Sequence, residues 1–209
     1  MKYFFLAPFL LATSCIWASP KTPEQAFNSL IEGNKRFLEG KCSHPSHAAE
    51  ARSDLVEKQI PFAAIIGCSD SRVPPEIIFD QGLGDLFVVR DAGNVIGPIE
   101  TDSVEFAAMK LEVPLIVVLG HQNCGAIKAC LNGKDAVPEL DQIFPYIDAA
   151  FHRCGKEHPL QLKEAIYCNI KNGVETLAKS PTIAPLIQSK KIKVIGAYFE
   201  IETGKVIFL

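Results

Sequence analysis

The sequence predicts an α/β fold: a mostly parallel central sheet flanked by helices, with an N-terminal helical arm and an antiparallel C-terminal edge strand. Three observations carry this. Short apolar runs rich in Val, Ile and Phe recur at 62–66, 86–90, 114–119 and 193–199, and helical patterns at 101–111, 125–131, 139–153 and 161–179 fill the gaps between the later runs. The chain then ends in two β-rich runs around Thr203-Gly204. Runs that do not alternate with polar residues are buried on both faces, and strands that alternate with helices build a parallel sheet covered on both sides. The terminal pair reads as a hairpin. The expected strand order is 2-1-3-4 plus the edge strand.

Taken in order, Lys2 precedes an apolar stretch from Tyr3 to Ala18 that is too short for a comfortable membrane span. Residues 1–18 read as a signal peptide cleaved at the small residues Ala18 and Ser19, and Ala12-Thr-Ser-Cys15 as a weaker lipoprotein box that would leave an acylated Cys15. The expected product is exported, periplasmic or extracellular, with no stable transmembrane segment after processing. Thr22-Pro-Glu-Gln25 has capping-box spacing with Pro at the first helical position, so a helix covers 23–39. A polar loop, 40–47, and a short helix near 48–58 lead into the first strand. Residues 19–209 are expected to form one domain, with 19–58 as the helical arm and 59–209 as the α/β core.

Composition removes some functions. The chain has 209 residues, 48% hydrophobic, with a net charge of -3 and a pI near 6.0, and no Lys/Arg run beyond Lys190-Lys191. A nucleic-acid partner is not expected. Gly82-Leu-Gly84 lacks the rest of a phosphate-binding fingerprint and reads as a turn.

The chemistry concentrates where two apolar runs stop. The first ends in Cys68-Ser-Asp70-Ser-Arg72 and the second in Gly120-His121-Gln-Asn-Cys124-Gly-Ala. Cys68 alone reads equally as half a disulfide, a nucleophile, a metal ligand or a small core residue. If the two strands are neighbours, their C-terminal ends meet where doubly wound sheets place ligands. Cys68, His121 and Cys124 then form two thiolates and an imidazole with an open fourth position, the pattern of a catalytic zinc site. Extended geometry would put Cys68, Asp70 and Arg72 on one side, so that Asp70 reaches the fourth position and Arg72 reaches Asp70. A Cys68/His121 nucleophile pair leaves Cys124, Asp70 and Arg72 without roles. A Cys68 to Cys124 disulfide does not explain the charged pair.

CSDSR followed by PPE, Arg90-Asp-Ala-Gly-Asn94, Ser103-Val-Glu-Phe-Ala-Ala108 and GHQNCGA, with Gly33-Asn-Lys-Arg-Phe37 upstream and Glu202-Thr-Gly-Lys-Val206 near the end, together resemble a β-class carbonic anhydrase over 23–209. The resemblance implies reversible hydration of carbon dioxide to bicarbonate by zinc-bound hydroxide, with one Zn2+ per chain on Cys68, His121 and Cys124. It implies catalytic roles for Asp70 and Arg72, with Asp70 as a fourth zinc ligand in a closed state. Gln59 matches a substrate-donating glutamine of the plant-like subgroup. Phe87, Ala92, Gly125 and Ala126 match a narrow apolar pocket, and Phe106 falls where that subgroup has Tyr. Ile65 and Gln59 point to the open-site form, whereas Arg90 occurs in both forms. The resemblance also implies a homodimer or higher homo-oligomer in which helix 23–39 embraces the partner. The alternatives are a related zinc hydrolase of carbonyl sulfide or carbon disulfide and a non-catalytic zinc-binding protein.

Among the remaining cysteines, Cys42, Cys130, Cys154 and Cys168 permit three pairings if all are oxidised, and buried thiols fit equally. Cys168 lies within a helical run, so packing is the role expected for it. His152, Cys154 and His158 have irregular spacing and read as surface or disulfide rather than a second metal cluster.

Overall fold

The computed structural model describes residues 22–43, 52–53, 55–133, 135, 137–155 and 160–209. The expected signal peptide, Cys15 and residues 48–51 and 54 of the helix expected near 48–58 lie outside these residues; of the rest of that stretch only 52–53 are helical, and 55–58 form turn, bend and coil instead. Helix α1 (Pro23–Leu38) begins with the expected capping box, Thr22 Oγ1 accepting from the Gln25 amide and Gln25 Oε1 from the Thr22 amide, each at 3.2 Å. Then follow β1 (Ala63–Cys68), α2 (Pro75–Ile78), β2 (Leu86–Asp91), α3 (Pro98–Lys110), β3 (Leu115–His121), α4 (Gly125–Cys130), α5 (Phe144–Arg153), α6 (Leu162–Ala178), α7 (Ile183–Gln188), β4 (Lys193–Glu200) and β5 (Lys205–Phe208). The sheet order is β2-β1-β3-β4-β5, parallel except for the antiparallel β4/β5 pair, as the sequence predicts.

Every residue of β1 and β3 is buried, which explains why neither run alternates. Side chains still divide by parity. Ala64, Ile66, Ile116 and Val118 join the layer formed with α3, α5 and α6, whereas Ile65, Leu115, Val117 and Leu119 face α1 and α2. Each fully buried Ile or Leu of these strands contributes about 1.5–3 kcal/mol. The strands therefore end at fixed heights, and the loops that leave them are positioned by the core.

Helix α1, the expected arm, is anchored by one face to the core of its own chain. Its buried stripe, Ala26, Leu30, Gly33 and Asn34, packs on its own chain. Asn34 donates to the Ile78 and Gly204 carbonyls at 3.1 and 3.0 Å and accepts from the Val206 amide at 3.0 Å, which joins α1 to α2 and to the terminal hairpin. Gly33 lies so close to the Phe79 carbonyl that no Cβ fits there. Arg36 pairs with the fully buried Asp80, which also accepts from the Ser43 amide.

Cys168 corrects another expectation. It is buried in α6 but bonded to Cys154 at the end of α5, so its role is a cross-link and not packing alone. Cys42, Cys68, Cys124 and Cys130 are thiols. Among the described residues, no helix is long and apolar enough to cross a membrane.

Candidate metal centre

Two strand ends build the centre. Cys68 is the last residue of β1, and β3 delivers His121, also fully buried. After His121 the chain turns through Asn123, at φ +54, and Cys124 becomes the residue that precedes α4. That turn is anchored by the Gln122 amide on the Phe199 carbonyl at 2.8 Å and by the Glu202 amide on Gln122 Oε1 at 3.0 Å.

The donor atoms of Cys68, His121 and Cys124 all lie within 4.8 Å of one another, with the two sulfurs 4.0 Å apart. Two sulfurs on a tetrahedral zinc are separated by roughly 3.8 Å, given Zn–S bonds of about 2.3 Å. His121 Nδ1 lies 3.0 Å from the Gln122 carbonyl oxygen, which fixes the proton on Nδ1 and leaves Nε2 as the acceptor. That Nε2 is buried and has no hydrogen-bond partner among the described residues. An orphaned imidazole nitrogen aimed at two close sulfurs is costly unless a cation sits between them. The donor set fits zinc.

The two buried sulfurs are hydrogen-bonded to each other. The hydrogen bond from Cys124 is the largest of the effects that hold the Cys68 thiol well below its ordinary value; it outweighs burial and is helped by the Gly93 amide. Cys124 is pushed up in turn by the same bond and by burial.

Asp70 and Arg72 stand beside this cluster, but not through strand periodicity. Residues 70–73 form a turn, closed by the Val73 amide on the Asp70 carbonyl at 3.0 Å. The turn lets Arg72 grip Asp70 three times, with its amide and Nε on Oδ1 at 3.0 and 2.9 Å and its Nη2 on Oδ2 at 2.8 Å. These bonds from Arg72 hold the Asp70 carboxyl well below the usual carboxylate range. Arg72 Nη2 also lies 3.4 Å from the Asn123 carbonyl, linking the two ligand loops. Asp70 Oδ2 is 4.0 Å from His121 Nε2.

The other residues singled out by sequence divide into two groups. Ala92, Gly125 and Ala126 adjoin the cluster: Ala92 follows Asp91, the β2 partner of Cys68, and Gly125 and Ala126 follow Cys124. A Cβ on Gly125 would meet open space. Phe87 pairs with Ala64, four residues before Cys68, which places it on the order of 13 Å down the sheet. It packs against Phe106 with ring centroids 6.4 Å apart. Gln59 is exposed in the coil before β1, and Phe106 is half exposed.

Arg90 has a role that the motif comparison left undecided. Its Nε and Nη2 donate to the Cys68 and Asp70 carbonyls at 3.0 and 2.8 Å, clamping the ligand loop. The Gly93 amide, 3.3 Å from Cys68 Sγ, was not legible as a sulfur donor. A cavity of about 730 Å³, lined by residues including Tyr167, Val174 and Leu209, shares no residue with the cluster.

Comparison with known proteins places this geometry. The family model described as carbonic anhydrase matches residues 63–206. A carbonic anhydrase of Mycolicibacterium smegmatis is 53% identical over 113 residues, covering 54% of this chain and 55% of that protein, so the match spans about half the length of this relative. A carbonic anhydrase of Pseudomonas aeruginosa is 32% identical, covering 85% of this chain and 84% of its own. The solved structure of the beta-carbonic anhydrase CcaA superposes with a TM-score of 0.70 at 31% identity, covering 87% of this chain and 94% of that one. With a parallel sheet of the same build carrying a Cys-His-Cys cluster at its strand ends, the chain belongs to the carbonic anhydrase family, in its β class.

Proposed function

We propose that the protein catalyses the reversible hydration of carbon dioxide to bicarbonate and a proton, with one zinc ion per chain held by Cys68, His121 and Cys124. The observation that carries this reading is a metal-ligating cluster with an ionised carboxylate beside it that is turned toward an arginine. Zinc held there supplies the Lewis acidity that makes water a nucleophile near neutral pH. The chain's own residues then orient the reaction. Asp70 accepts a hydrogen bond from the attacking water and aims its lone pair, and Arg72 occupies both carboxylate oxygens so that Asp70 stays in that pose. Ala92, Gly125 and Ala126 put only small groups beside the cluster, and in this reading they line the place of a linear apolar substrate. The released proton passes to buffer or water. His152, the other described histidine, is exposed at the end of α5 and paired with Asp148.

Gln59, Phe87 and Phe106 belong, in this reading, to a pocket completed by a second copy of the chain. Edge strand β2 has no outer neighbour among the described residues, its Leu86 to Val89 are half-buried, and Ile99, Phe106 and Met109 of the adjoining α3 are exposed. An apolar edge of this kind is covered in stable proteins. Two β-carbonic anhydrases of Sordaria macrospora, 27% identical to this chain, are tetrameric. Light scattering is expected to show a dimer or larger, and Phe106→Glu is expected to dissociate it; a monomeric wild type would contradict this.

Gln59 and Ile65 favour the open-site, plant-like form. Export to the periplasm or extracellular space, with residues 1–18 removed or, as the alternative, Cys15 acylated, is supported by the Cys154–Cys168 disulfide, a bond that persists in oxidising compartments. N-terminal sequencing of fractionated protein tests it, and an intact Met1 in cytoplasm would reject it.

The function itself is tested by metal analysis together with stopped-flow assays on carbon dioxide, carbonyl sulfide and carbon disulfide. One zinc per chain with carbon dioxide hydration supports the reading. Turnover of only the sulfur analogues would replace it with a hydrolase, and tight zinc without turnover would leave a binding protein.

A further inference from the structure

Helix α6 lies against the metal end of the sheet and reaches it with one buried polar side chain. Its apolar face sits close to the strands because glycines make room: a Cβ on Gly120, the residue before His121, would come within 2.6 Å of Ile170, as would one on Gly196. From this face Asn169, 3% exposed, donates through Nδ2 to the Gly93 carbonyl at 2.7 Å. The amide of the same Gly93 donates to Cys68 Sγ at 3.3 Å. Gly93 stands at φ +91 in the turn after β2, where a Cβ would lie 3.1 Å from Ile147. The residue before Asn169 is Cys168, whose bond to Cys154 ties α6 to the end of α5.

We infer that Asn169 is a positioning residue of the metal centre: by holding the Gly93 carbonyl it fixes the backbone that aims the Gly93 N–H at the sulfur of Cys68. A donor on a thiolate withdraws charge from sulfur and fixes the direction of its lone pairs, and partners of this kind tune metal affinity. Removing the amide of Asn169 leaves a buried carbonyl without its donor. The Gly93–Asn94 peptide is then released to turn toward another partner, the φ and ψ of Gly93 shift with it, and the Gly93 N–H in the preceding peptide loses its aim at Cys68. The inference rests on the zinc reading above.

Two measurements on the full chain test it. In wild type loaded with cadmium-113, NMR is expected to show scalar coupling between the Gly93 amide proton and the metal, transmitted through the N–H···S bond. In Asn169→Leu and in the near-isosteric Asn169→Asp, that coupling is expected to vanish. Zinc affinity, read by competition with a chromophoric chelator, is expected to fall about 10-fold, the lower end of the range for outer partners of metal ligands. Absence of the coupling in metal-loaded wild type overturns the inference even if neither variant folds. So does a variant with lowered thermal stability but unchanged coupling and affinity, which would make Asn169 a packing residue only. If wild type takes up no metal, the zinc reading fails instead.

Discussion

Arg72 occupies both carboxylate oxygens of Asp70, with Nε on Oδ1 at 2.9 Å and Nη2 on Oδ2 at 2.8 Å, while Oδ2 stands 4.0 Å from His121 Nε2. The carboxylate is therefore one small rotation from the metal cluster and is restrained by its partner. Both residues are partly exposed, so solvent screens the Coulomb attraction, and the restraint lies mainly in hydrogen-bond direction.

Arg72→Ala removes that restraint. Asp70 is expected to swing onto the metal, with carbon dioxide hydration falling about 100-fold, the scale of losing one oriented electrostatic partner. X-ray absorption of the zinc-loaded variant is expected to show an added oxygen ligand from the protein. Arg72→Lys restores charge but not the two-pronged grip, so it should recover little. An unchanged rate with unchanged coordination would sink the idea.

Asp91 couples stability to pH. Its Oδ1 accepts from the Val95 amide at 2.9 Å, but Oδ2 is buried with no partner among the described residues, and burial pushes its carboxyl up to about 7. Between about pH 4 and 7 the folded chain binds this proton more tightly than the unfolded one, so stability contributed here is present at low pH and lost as pH rises through 7. Asp91→Asn is expected to stabilise the metal-free protein at pH 8 by about 1–2 kcal/mol, a value reduced from the full shift for local relaxation. Little gain is expected at pH 4. Urea unfolding at both pH values checks this, and equal gains at both would contradict it.

The Cys154–Cys168 disulfide closes a loop with a sequence separation of 14, which in the chain-entropy model stabilises by about 3 kcal/mol. Replacing both cysteines by serine is expected to lower the urea midpoint accordingly while leaving zinc stoichiometry intact. A midpoint within error of wild type would mean that the bond adds nothing to folding.

The strands were legible because burial on both faces forbids polar residues, so β1 and β3 declare themselves as unbroken apolar runs. Helices α2 and α7 were not expected: each is short, α2 following directly on Pro74 and α7 containing Pro185, too short to display a period. The three metal-cluster residues could be grouped from sequence because each lies at, or three residues beyond, the end of a buried strand that must stop somewhere fixed. Asp70 and Arg72 were placed together for a reason the structure replaces, since a turn rather than an extended strand joins them. Asn169 left no signal, because its bond to Gly93 spans 76 residues and exists only once α6 has packed. The Cys154–Cys168 pairing was undetermined for the same reason.

The most direct test of the proposed chemistry is oxygen-18 exchange between carbon dioxide and water, followed by mass spectrometry at pH 6 to 9 on protein carrying one zinc per chain. Two thiolates cancel the charge of the dication, so water beside it ionises above the value of about 7 found with three imidazoles. Exchange is expected to exceed the buffer rate, to rise from pH 7 to 9, and to be lost in Cys124→Ser. Zinc-replete wild type that depletes the label no faster than buffer across this range would contradict the assignment of carbon dioxide hydration to this site.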